Sequence, residues 1–289
     1  MNNMNITFVC TGNTCRSPMA EGIFKKIVEA RNINDIQCRS CGLSAYSGDC
    51  ASPNAIEAVK KYGVNIENHR SSVLTQYLAL ETDLFVCMTK AHAQALKNAL
   101  YMYNKKITVL GGGIPDPYGG DLQVYKNCAD EIYRNLSILA DALFCELQPM
   151  SENHIDGIYN IENECFSAPW SRDSIAEELN NNTAHFRVAV SGDKVIGYIG
   201  VHEVAGEAYI ANVAVSEIYR GYGVASRLME DAENGARERG CEFISLEVRK
   251  SNQPAINLYK KRGYAPLGER KNFYTNPPED GLIMTLYFK

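Results

Sequence analysis

Short apolar runs alternate with helical patterns through the first half of the chain. Runs such as "ITFVC", "DLFVCMT" and "KITVL" are each followed by a segment with helical spacing or a glycine-rich loop, and the last helix extends through "VYKNCADEIYRNLSILADALFCEL". Strands alternating with helices predict a parallel sheet covered by helices on both faces. Ligands bind beyond the carboxyl ends of such strands, so we expect a site in the loops there.

The pattern changes around "LQPMSENHIDG". A helix through "IYNIENECF" follows, then the hairpin "HFRVAV" and "KVIGYIGVHEV", the strand "EAYIANVAV", and a helix, strand and helix before the closing strand "GLIMTLY". Antiparallel strands followed by such a unit predict a separate mixed α/β domain. The predicted fold class is α/β with two domains, residues 1–148 around a parallel sheet and residues 152–289 around a mixed sheet.

Composition narrows the function classes. The 289 residues are 45% apolar with a net charge of −5, which suits two globular domains and gives no basic patch for direct nucleic-acid binding. No window approaches the roughly 18 apolar residues of a membrane span, so we expect a cytoplasmic protein without membrane contact.

Ten cysteines without a signal-peptide pattern favour free thiols. "CRSC" at 38–41 has zinc-like spacing, but no second pair completes four ligands, so no metal is expected.

The segment "CTGNTCRSP" joins the first apolar run to a helical pattern. Gly12 and Asn13 give backbone freedom for a tight loop, and Ser17 and Pro18 are residue types preferred at a helix N-cap and first turn. Backbone N–H groups of such a loop converge on an anion at the positive end of the helix.

Two side chains of this loop carry chemistry. Arg16 offers a planar fork that matches two phosphoryl oxygens, and the same positive environment favours the thiolate of Cys10. A later loop, "GGGIPDPYGGD", places Asp116 between two prolines. On the residues alone, Asp116 is either a turn residue or the proton donor that a leaving group needs.

With both loops in view, the first 148 residues resemble the low-molecular-weight protein phosphatase family, and "MTKAH" after the third strand fits the same pattern. The resemblance implies that Cys10 is the nucleophile, Arg16 the phosphate clamp, Ser17 a hydrogen-bond donor to the thiolate, and Asp116 the acid and then the base around a cysteinyl-phosphate. The implied phosphate-binding residues are Thr11, Gly12, Asn13, Thr14, Cys15 and Ser17.

Thr14 bears on the substrate. Tyrosine-specific members usually carry a bulky aliphatic residue there, whereas "CTGNTCRSPMAE" resembles the bacterial protein-arginine phosphatases, and a guanidinium tolerates a hydroxyl at its edge. Phosphoarginine is therefore expected, with phosphotyrosine as the alternative.

Thioredoxin-coupled arsenate reductases share the loop but need two nearby cysteines after the third strand, and after Cys87 the next is Cys128. Cys15 is either a partner for a reversible disulfide with Cys10 or a small buried loop residue.

In the second half, glycines open a helix directly after a strand in "RGYGVAS", which suggests N–H groups facing a pyrophosphate. Together with "SLEVRKSNQPAINLYKKRGY", this loop resembles the GNAT acetyltransferases, and within them the bacterial ribosomal-protein-alanine N-acetyltransferases, over about residues 152–289. The implied co-substrate is acetyl-CoA. The implied cofactor-binding residues are Val213, Ala214, Val215, Arg220, Gly221, Tyr222, Gly223, Val224, Ala225, Ser226 and Asn252.

The same resemblance implies Glu247 as general base and Tyr259 as general acid. A protein N-terminal amine has a pKa near 7.7 to 8.0, so a carboxylate can help to remove its proton before it attacks a thioester. Without the motif, Glu247 would be a solvated strand-end glutamate and Tyr259 an amphipathic-helix tyrosine.

The sequence thus predicts a bifunctional enzyme: a protein-arginine phosphatase fused to an N-terminal-alanine acetyltransferase that acts on a ribosomal protein. The expected partners are phosphorylated proteins and a ribosomal protein N-terminus. The alternatives are a tyrosine phosphatase with an acetyltransferase of other amines, or a domain that retains only phospho-residue or acetyl-CoA sensing.

Overall fold

A computed structural model describes residues 4–103 and 105–288. It divides the chain into two compact units, Met1–Ala140 and Asp141–Lys289. The outermost residues of the two predicted domain ranges, 1–3 and 289, lie outside the described residues.

The first unit is built on a parallel sheet, as predicted. Its described strands are β1 (Met4–Cys10), β2 (Ile36–Gly42), β3 (Leu84–Cys87) and β4 (Lys106–Val109), in the order β2-β1-β3-β4. The described helices are α1 (Arg16–Ala30), α2 (Pro53–Val59), α3 (Gln76–Glu81), α4 (Lys90–Ala99) and α5 (Leu122–Phe144), the last of which crosses the boundary between the units.

Burial of β1 fixes the position of its last residue. Phe8 and Val9 are fully buried, and the Phe8 ring packs edge-on against Phe24 of α1 at 5.6 Å between centroids. Burying an aromatic side chain stabilises a fold by roughly 1.5–3 kcal/mol. Cys10 is thereby held at the carboxyl edge of the sheet, between β2 and β3.

The second unit contains a mixed sheet, as predicted. Its described strands are β5 (Glu146–Pro149), β6 (Ala184–Ser191), β7 (Lys194–Val204), β8 (Glu207–Val215), β9 (Phe243–Arg249), β10 (Ala265–Thr275) and β11 (Pro278–Tyr287). The described helices are α6 (Ile155–Cys165), α7 (Arg172–Glu177), α8 (Val224–Glu238) and α9 (Gln253–Lys261). The strand order is β10-β11-β9-β8-β7-β6-β5, and all neighbours are antiparallel except β8 and β9.

Two strands depart from the sequence-based expectation. The long helix expected to reach Leu147 ends at Phe144, and Glu146–Pro149 forms β5, which pairs with β6. Strand β10 was not predicted because nearly all of its residues are exposed, so no apolar alternation marks it; its pairing with β11 holds it in place.

Two further findings concern the described residues as a whole. None of their helices is long and apolar enough to cross a membrane. Within residues 4–103 and 105–288, no group of three or more His, Cys, Asp or Glu side chains is arranged to hold a metal ion.

Candidate functional site

The sulfur of Cys10 lies inside a set of hydrogen-bond donors at the end of β1. The backbone N–H of Asn13 donates to Cys10 Sγ at 3.2 Å, and the Ser17 hydroxyl lies 2.9 Å from the same sulfur. Because Ser17 Oγ also accepts from Asn13 Nδ2 at 2.9 Å, its own hydrogen is available to Cys10. Cys10 Sγ is therefore held in one position by groups of the loop and of the first turn of α1.

Asn13 organises the loop between β1 and α1. It is fully buried with φ at 55°, a left-handed conformation that asparagine tolerates better than most residues. Its side chain donates to Ser40 Oγ at 2.9 Å and accepts from the N–H of Ser72 at 2.8 Å, while its carbonyl oxygen lies 2.8 Å from His69 Nε2. Ser40, Ser72 and His69 come from distant segments, and no sequence motif marked them.

The loop also rests on a glycine of the neighbouring strand. A Cβ at Gly42 would lie 2.4 Å from the carbonyl oxygen of Thr11 and 3.0 Å from the backbone nitrogen of Asn13. Both are backbone atoms that a side chain could not displace cheaply. Gly42 therefore permits the close approach of loop and sheet.

Helix α1 begins at Arg16, and Cys15 occupies the N-cap position without a side-chain cap. The residue types had suggested Ser17 and Pro18 for the N-cap and first turn, but Ser17 lies inside the helix and its hydroxyl faces Cys10. The first N–H groups of the helix are therefore not capped by the Cys15 side chain, which suits an anion at this end.

Arg16 and Asp116 are in direct contact. The Arg16 side chain is 5% exposed; Nη1 donates to the carbonyl oxygen of Ile114 at 3.1 Å and Nη2 to Asp116 Oδ2 at 2.5 Å. Asp116 is half-exposed, and its other carboxylate oxygen accepts from the N–H of Tyr118 at 3.3 Å. The two loops that the sequence singled out thus meet through the contact between Arg16 and Asp116.

The remaining residues of the loop between β1 and α1 are Gly12, Thr14 and Cys15. Gly12 and Thr14 complete the turn, and the sulfur of buried Cys15 lies 3.3 Å from the Tyr125 hydroxyl. All ten cysteines are free thiols, so a bond between Cys10 and Cys15 stays a prediction.

His92 is a residue that the sequence marked only as part of a pattern. Its Nε2 lies 3.0 Å from Thr11 Oγ1, and its Nδ1 is buried without a hydrogen-bond partner. Burial lowers the pKa of His92, and the positive charge of Arg16 lowers it further, whereas Asp116 acts in the opposite direction. His92 is therefore kept neutral against the side of the loop.

In the second unit, β8 and β9 separate towards their carboxyl ends. Their parallel pairing runs from Glu207–Phe243 to Ile210–Leu246. The predicted cofactor-binding stretch, residues 213–215, lies beyond that point and pairs with β7 on its other side. The described β8–β9 pairing therefore leaves the side of this stretch that faces away from β7 without a strand partner.

The glycine loop enters α8 at the same end. Gly221 and Gly223 have φ of 82° and 92°, conformations that a side chain would strain, and Gly223 is the N-cap of the 15-residue helix. Tyr222 lies between the two glycines, and Val224, Ala225 and Ser226 form the first turn of α8.

Two of the predicted cofactor residues are engaged within the protein. Arg220 does not extend freely: its Nε donates to the carbonyl oxygen of Val215 at 3.0 Å, and Nη2 lies 3.1 Å from Cys165 Sγ. Asn252 caps α9, because its side chain accepts from the N–H of Ala255 at 3.2 Å.

Glu247 and Tyr259 lie on β9 and α9, respectively. The Glu247 side chain is 4% exposed, with Oε1 3.1 Å from Arg270 Nη1 and Oε2 accepting from the Tyr209 hydroxyl. Tyr259 is buried, and burial raises the pKa of its hydroxyl, so it is protonated at neutral pH. No sequence motif marked Tyr209 or Arg270, because each lies on a different strand from Glu247.

A buried carboxylate also went unnoticed in the sequence. Glu162 of α6 is fully buried and accepts from the N–H of Trp170 at 2.7 Å, from Asn212 Nδ2 at 2.9 Å and from the Tyr198 hydroxyl. Burial raises the pKa of Glu162. The segment "IENE" gave no signal, since glutamates in an amphipathic helix usually face water.

Comparison with protein families gives one match for each half. Residues 5–149 match the model described as low molecular weight phosphotyrosine protein phosphatase. Residues 155–264 match the model of the acetyltransferase (GNAT) family.

Individual relatives divide in the same way. A protein-arginine-phosphatase of Bacillus subtilis (strain 168) is 40% identical over 147 residues, which cover 48% of this chain and 97% of that protein. A putative ribosomal protein bS18-alanine N-acetyltransferase of the same organism is 43% identical over 131 residues, covering 45% of this chain and 87% of that protein. A ribosomal protein bS18-alanine N-acetyltransferase of Escherichia coli (strain K12) is 30% identical over 142 residues, which cover 48% of this chain and 95% of that protein.

Proposed function

Because the chain belongs to the low molecular weight phosphotyrosine protein phosphatase family through residues 5–149 and to the acetyltransferase (GNAT) family through residues 155–264, we propose that it is a bifunctional enzyme. The first activity is hydrolysis of a phosphorylated protein side chain, and the second is acetylation of a protein N-terminus. The observation that carries the first is the contact between Arg16 and Asp116, made by the loop that also surrounds Cys10 with hydrogen-bond partners.

The phosphatase reaction follows from these three side chains. The Cys10 thiolate attacks phosphorus while the bond to the leaving group breaks, and protonated Asp116 gives that group a proton. Arg16 and the loop N–H groups hold the phosphoryl oxygens as charge builds on them. Water then attacks the cysteinyl-phosphate, Asp116 takes its proton, and phosphate leaves as the thiolate is restored.

Phosphoarginine is the proposed phosphatase substrate. Support comes from Thr14, whose hydroxyl suits a polar guanidinium edge better than a phenol ring, and from the relative described as a protein-arginine-phosphatase. Phosphotyrosine, which appears in the description of the family, is the competing substrate.

The second unit fits acetyl-CoA. The pairing of β8 with β9 ends at Ile210, so the backbone groups of residues 213–215 that face away from β7 would be available to hold the pantetheine arm. The glycine loop at the N-terminus of α8 would hold the pyrophosphate, since helix N-termini favour anions. When bound, acetyl-CoA supplies an acyl group activated as a thioester.

Glu247 and Tyr259 would handle the protons of this transfer. Glu247 takes a proton from the acceptor amine, directly or through water. Tyr259, kept protonated by burial, donates to the departing sulfur. The proposed acceptor is an alanine N-terminus of a ribosomal protein, supported by the names of two relatives.

One set of assays tests the proposal on the intact chain. Phosphoarginine, phosphotyrosine and phosphoserine peptides of one sequence are compared for phosphate release. Acetyl transfer is compared on a peptide with a free alanine N-terminus, a peptide with a free methionine N-terminus, and an N-terminally acetylated peptide that contains a lysine. We expect hydrolysis fastest with phosphoarginine and transfer only to the free alanine N-terminus. Cofactor binding without transfer to any amine, or phosphopeptide binding without release, would show that the corresponding unit is a sensor.

A further inference from the structure

We propose that Tyr209 and Arg270 are positioning residues for Glu247, which hold its carboxylate in one orientation for proton transfer from the acceptor amine. The inference rests on the proposed acetyltransferase function. The two side chains lie on other strands of the sheet and reach Glu247 from opposite flanks of β9.

The two contacts engage different oxygens of the carboxylate. The Tyr209 hydroxyl donates to Oε2, and Arg270 Nη1 lies 3.1 Å from Oε1. An ionised carboxylate has about four lone-pair sites. Each oxygen therefore keeps a lone pair for a further proton while its direction is fixed by a donor.

The strand geometry explains why both donors reach one carboxylate. Tyr209 pairs with Ser245, two residues before Glu247 on the same face of β9, so its ring leans along the shared face. Arg270 lies on β10, beyond β11, and its long side chain crosses β11 to arrive from the other flank. The carboxylate is thus bracketed by the side chains of two strands.

A cavity of about 220 Å³ adjoins the three side chains. Phe243 and Ile283 contribute apolar wall, and Glu247 is among the polar groups that line it. With only 4% of its side chain exposed, Glu247 does not extend into bulk water. A base in such a place must already point in the productive direction, because proton transfer requires a heavy-atom separation of about 2.6–3.2 Å.

Steady-state kinetics of the full chain test the inference. The variants are Tyr209→Phe, Arg270→Gln and Arg270→Lys; the matched controls are Tyr287→Phe, an exposed tyrosine of the same sheet, and Lys271→Gln, an exposed neighbour of Arg270. With acetyl-CoA and an alanine-starting peptide, we expect kcat to fall about tenfold for Tyr209→Phe and Arg270→Gln at a peptide KM within about twofold of wild type. Arg270→Lys should recover part of the rate, and the controls should match wild type.

Two kinetic results would overturn the inference. An unchanged kcat in both Tyr209→Phe and Arg270→Gln would show that Glu247 does not need these donors to orient its carboxylate. A lower peptide KM with an unchanged kcat in Arg270→Gln would show instead that Arg270 occupies the place of the substrate ammonium and is displaced on binding.

A spectroscopic measurement separates this inference from the proposed function. In protein labelled with ¹³C at the glutamate carboxyl carbon, the Glu247 resonance is assigned by its absence from Glu247→Gln. We expect it to move in Tyr209→Phe and Arg270→Gln but not in the controls. Absence of transfer by wild type would contradict the proposed function, while an unmoved resonance in both variants would overturn the positioning role whether or not transfer occurs.

Discussion

Arg16 and Asp116 form an ion pair, with Nη2 of the guanidinium 2.5 Å from Oδ2 of the carboxylate. The proposed reaction needs these groups apart, because Arg16 binds phosphoryl oxygens while Asp116 delivers a proton to the leaving group. A bound phosphoryl dianion competes with Asp116 for the same guanidinium. Substrate binding would therefore release the Asp116 side chain from Arg16 and leave it beside the leaving group.

Asp116→Asn should separate binding from turnover. The amide cannot donate a proton as a carboxylic acid does, so we expect kcat on a phosphopeptide to fall by about 10²–10⁴. It also holds Arg16 less tightly, so inorganic phosphate should inhibit the variant at lower concentration than it inhibits wild type. Phosphate inhibition that is weaker in the variant would contradict the competition.

Cys10→Ser should abolish phosphatase turnover and leave acetyl transfer intact. A serine hydroxyl is far less ionised than a thiol, so it is a poor nucleophile at neutral pH. Both activities are measured on the same preparation. Near-wild-type phosphate release would remove Cys10 as the nucleophile, and a parallel loss of acetyl transfer would reveal coupling between the two activities.

Thr14→Ile should shift preference from phosphoarginine towards phosphotyrosine, because it replaces a polar edge of the pocket by an apolar wall. The measurement is the ratio of the two kcat/KM values, with Thr14→Ser as the control that keeps the hydroxyl. A ratio that stays within a factor of about two, or about 0.4 kcal/mol in transition-state discrimination, means that Thr14 is not the selector.

Tyr259→Phe should retain acetyl-CoA affinity and lose rate. The ring and the glycine loop are unchanged, but the hydroxyl that would protonate the departing sulfur is gone, so single-turnover transfer should slow by on the order of 10²-fold. Calorimetric titration with acetyl-CoA supplies the affinity. Transfer at the wild-type rate would exclude Tyr259 as the acid.

His92 should make the first unit less stable at acidic pH. Its pKa is lowered in the folded state, so the unfolded chain binds the proton more readily below the ordinary value of about 6.5. The stability that neutral His92 permits is present above that pH and is lost as the pH falls through it. Urea unfolding of wild type and His92→Gln is measured between pH 7.5 and about pH 5. The free energy of unfolding should fall less steeply with decreasing pH in the variant. Equal pH slopes would contradict a neutral buried His92.

The sequence was most informative where a local motif carries the chemistry. Cys10, Arg16 and the loop between them are contiguous, so one stretch of chain defines the turn, the helix start and the side chains. The glycine loop before α8 is another such case. The alternation of strands and helices likewise predicted the parallel sheet, and the antiparallel strands of the second half predicted the mixed sheet, because buried strands carry continuous apolar runs.

The residues that were missed act across the fold. Asn13 was noted for its backbone, but its partners Ser40 and His69 lie 27 and 56 positions away. Glu162 looked like a surface glutamate, and only the packing of α6 against β7 and β8 buries it. Polar networks of this kind depend on which segments meet in three dimensions, and residue type alone does not encode that.

The hydrogen bonds of Asn13 and the close approach of the loop backbone to Gly42 have a thermodynamic consequence for ligand binding. The loop that would receive a phosphoryl group is already ordered by bonds to two other segments, β2 and residues 69–72, so closing around an anion requires little further loss of chain entropy. Calorimetry should then show a small entropic penalty when phosphate binds. A side chain at position 42 would restore that penalty by loosening the loop, although no atom of Gly42 needs to touch the ligand.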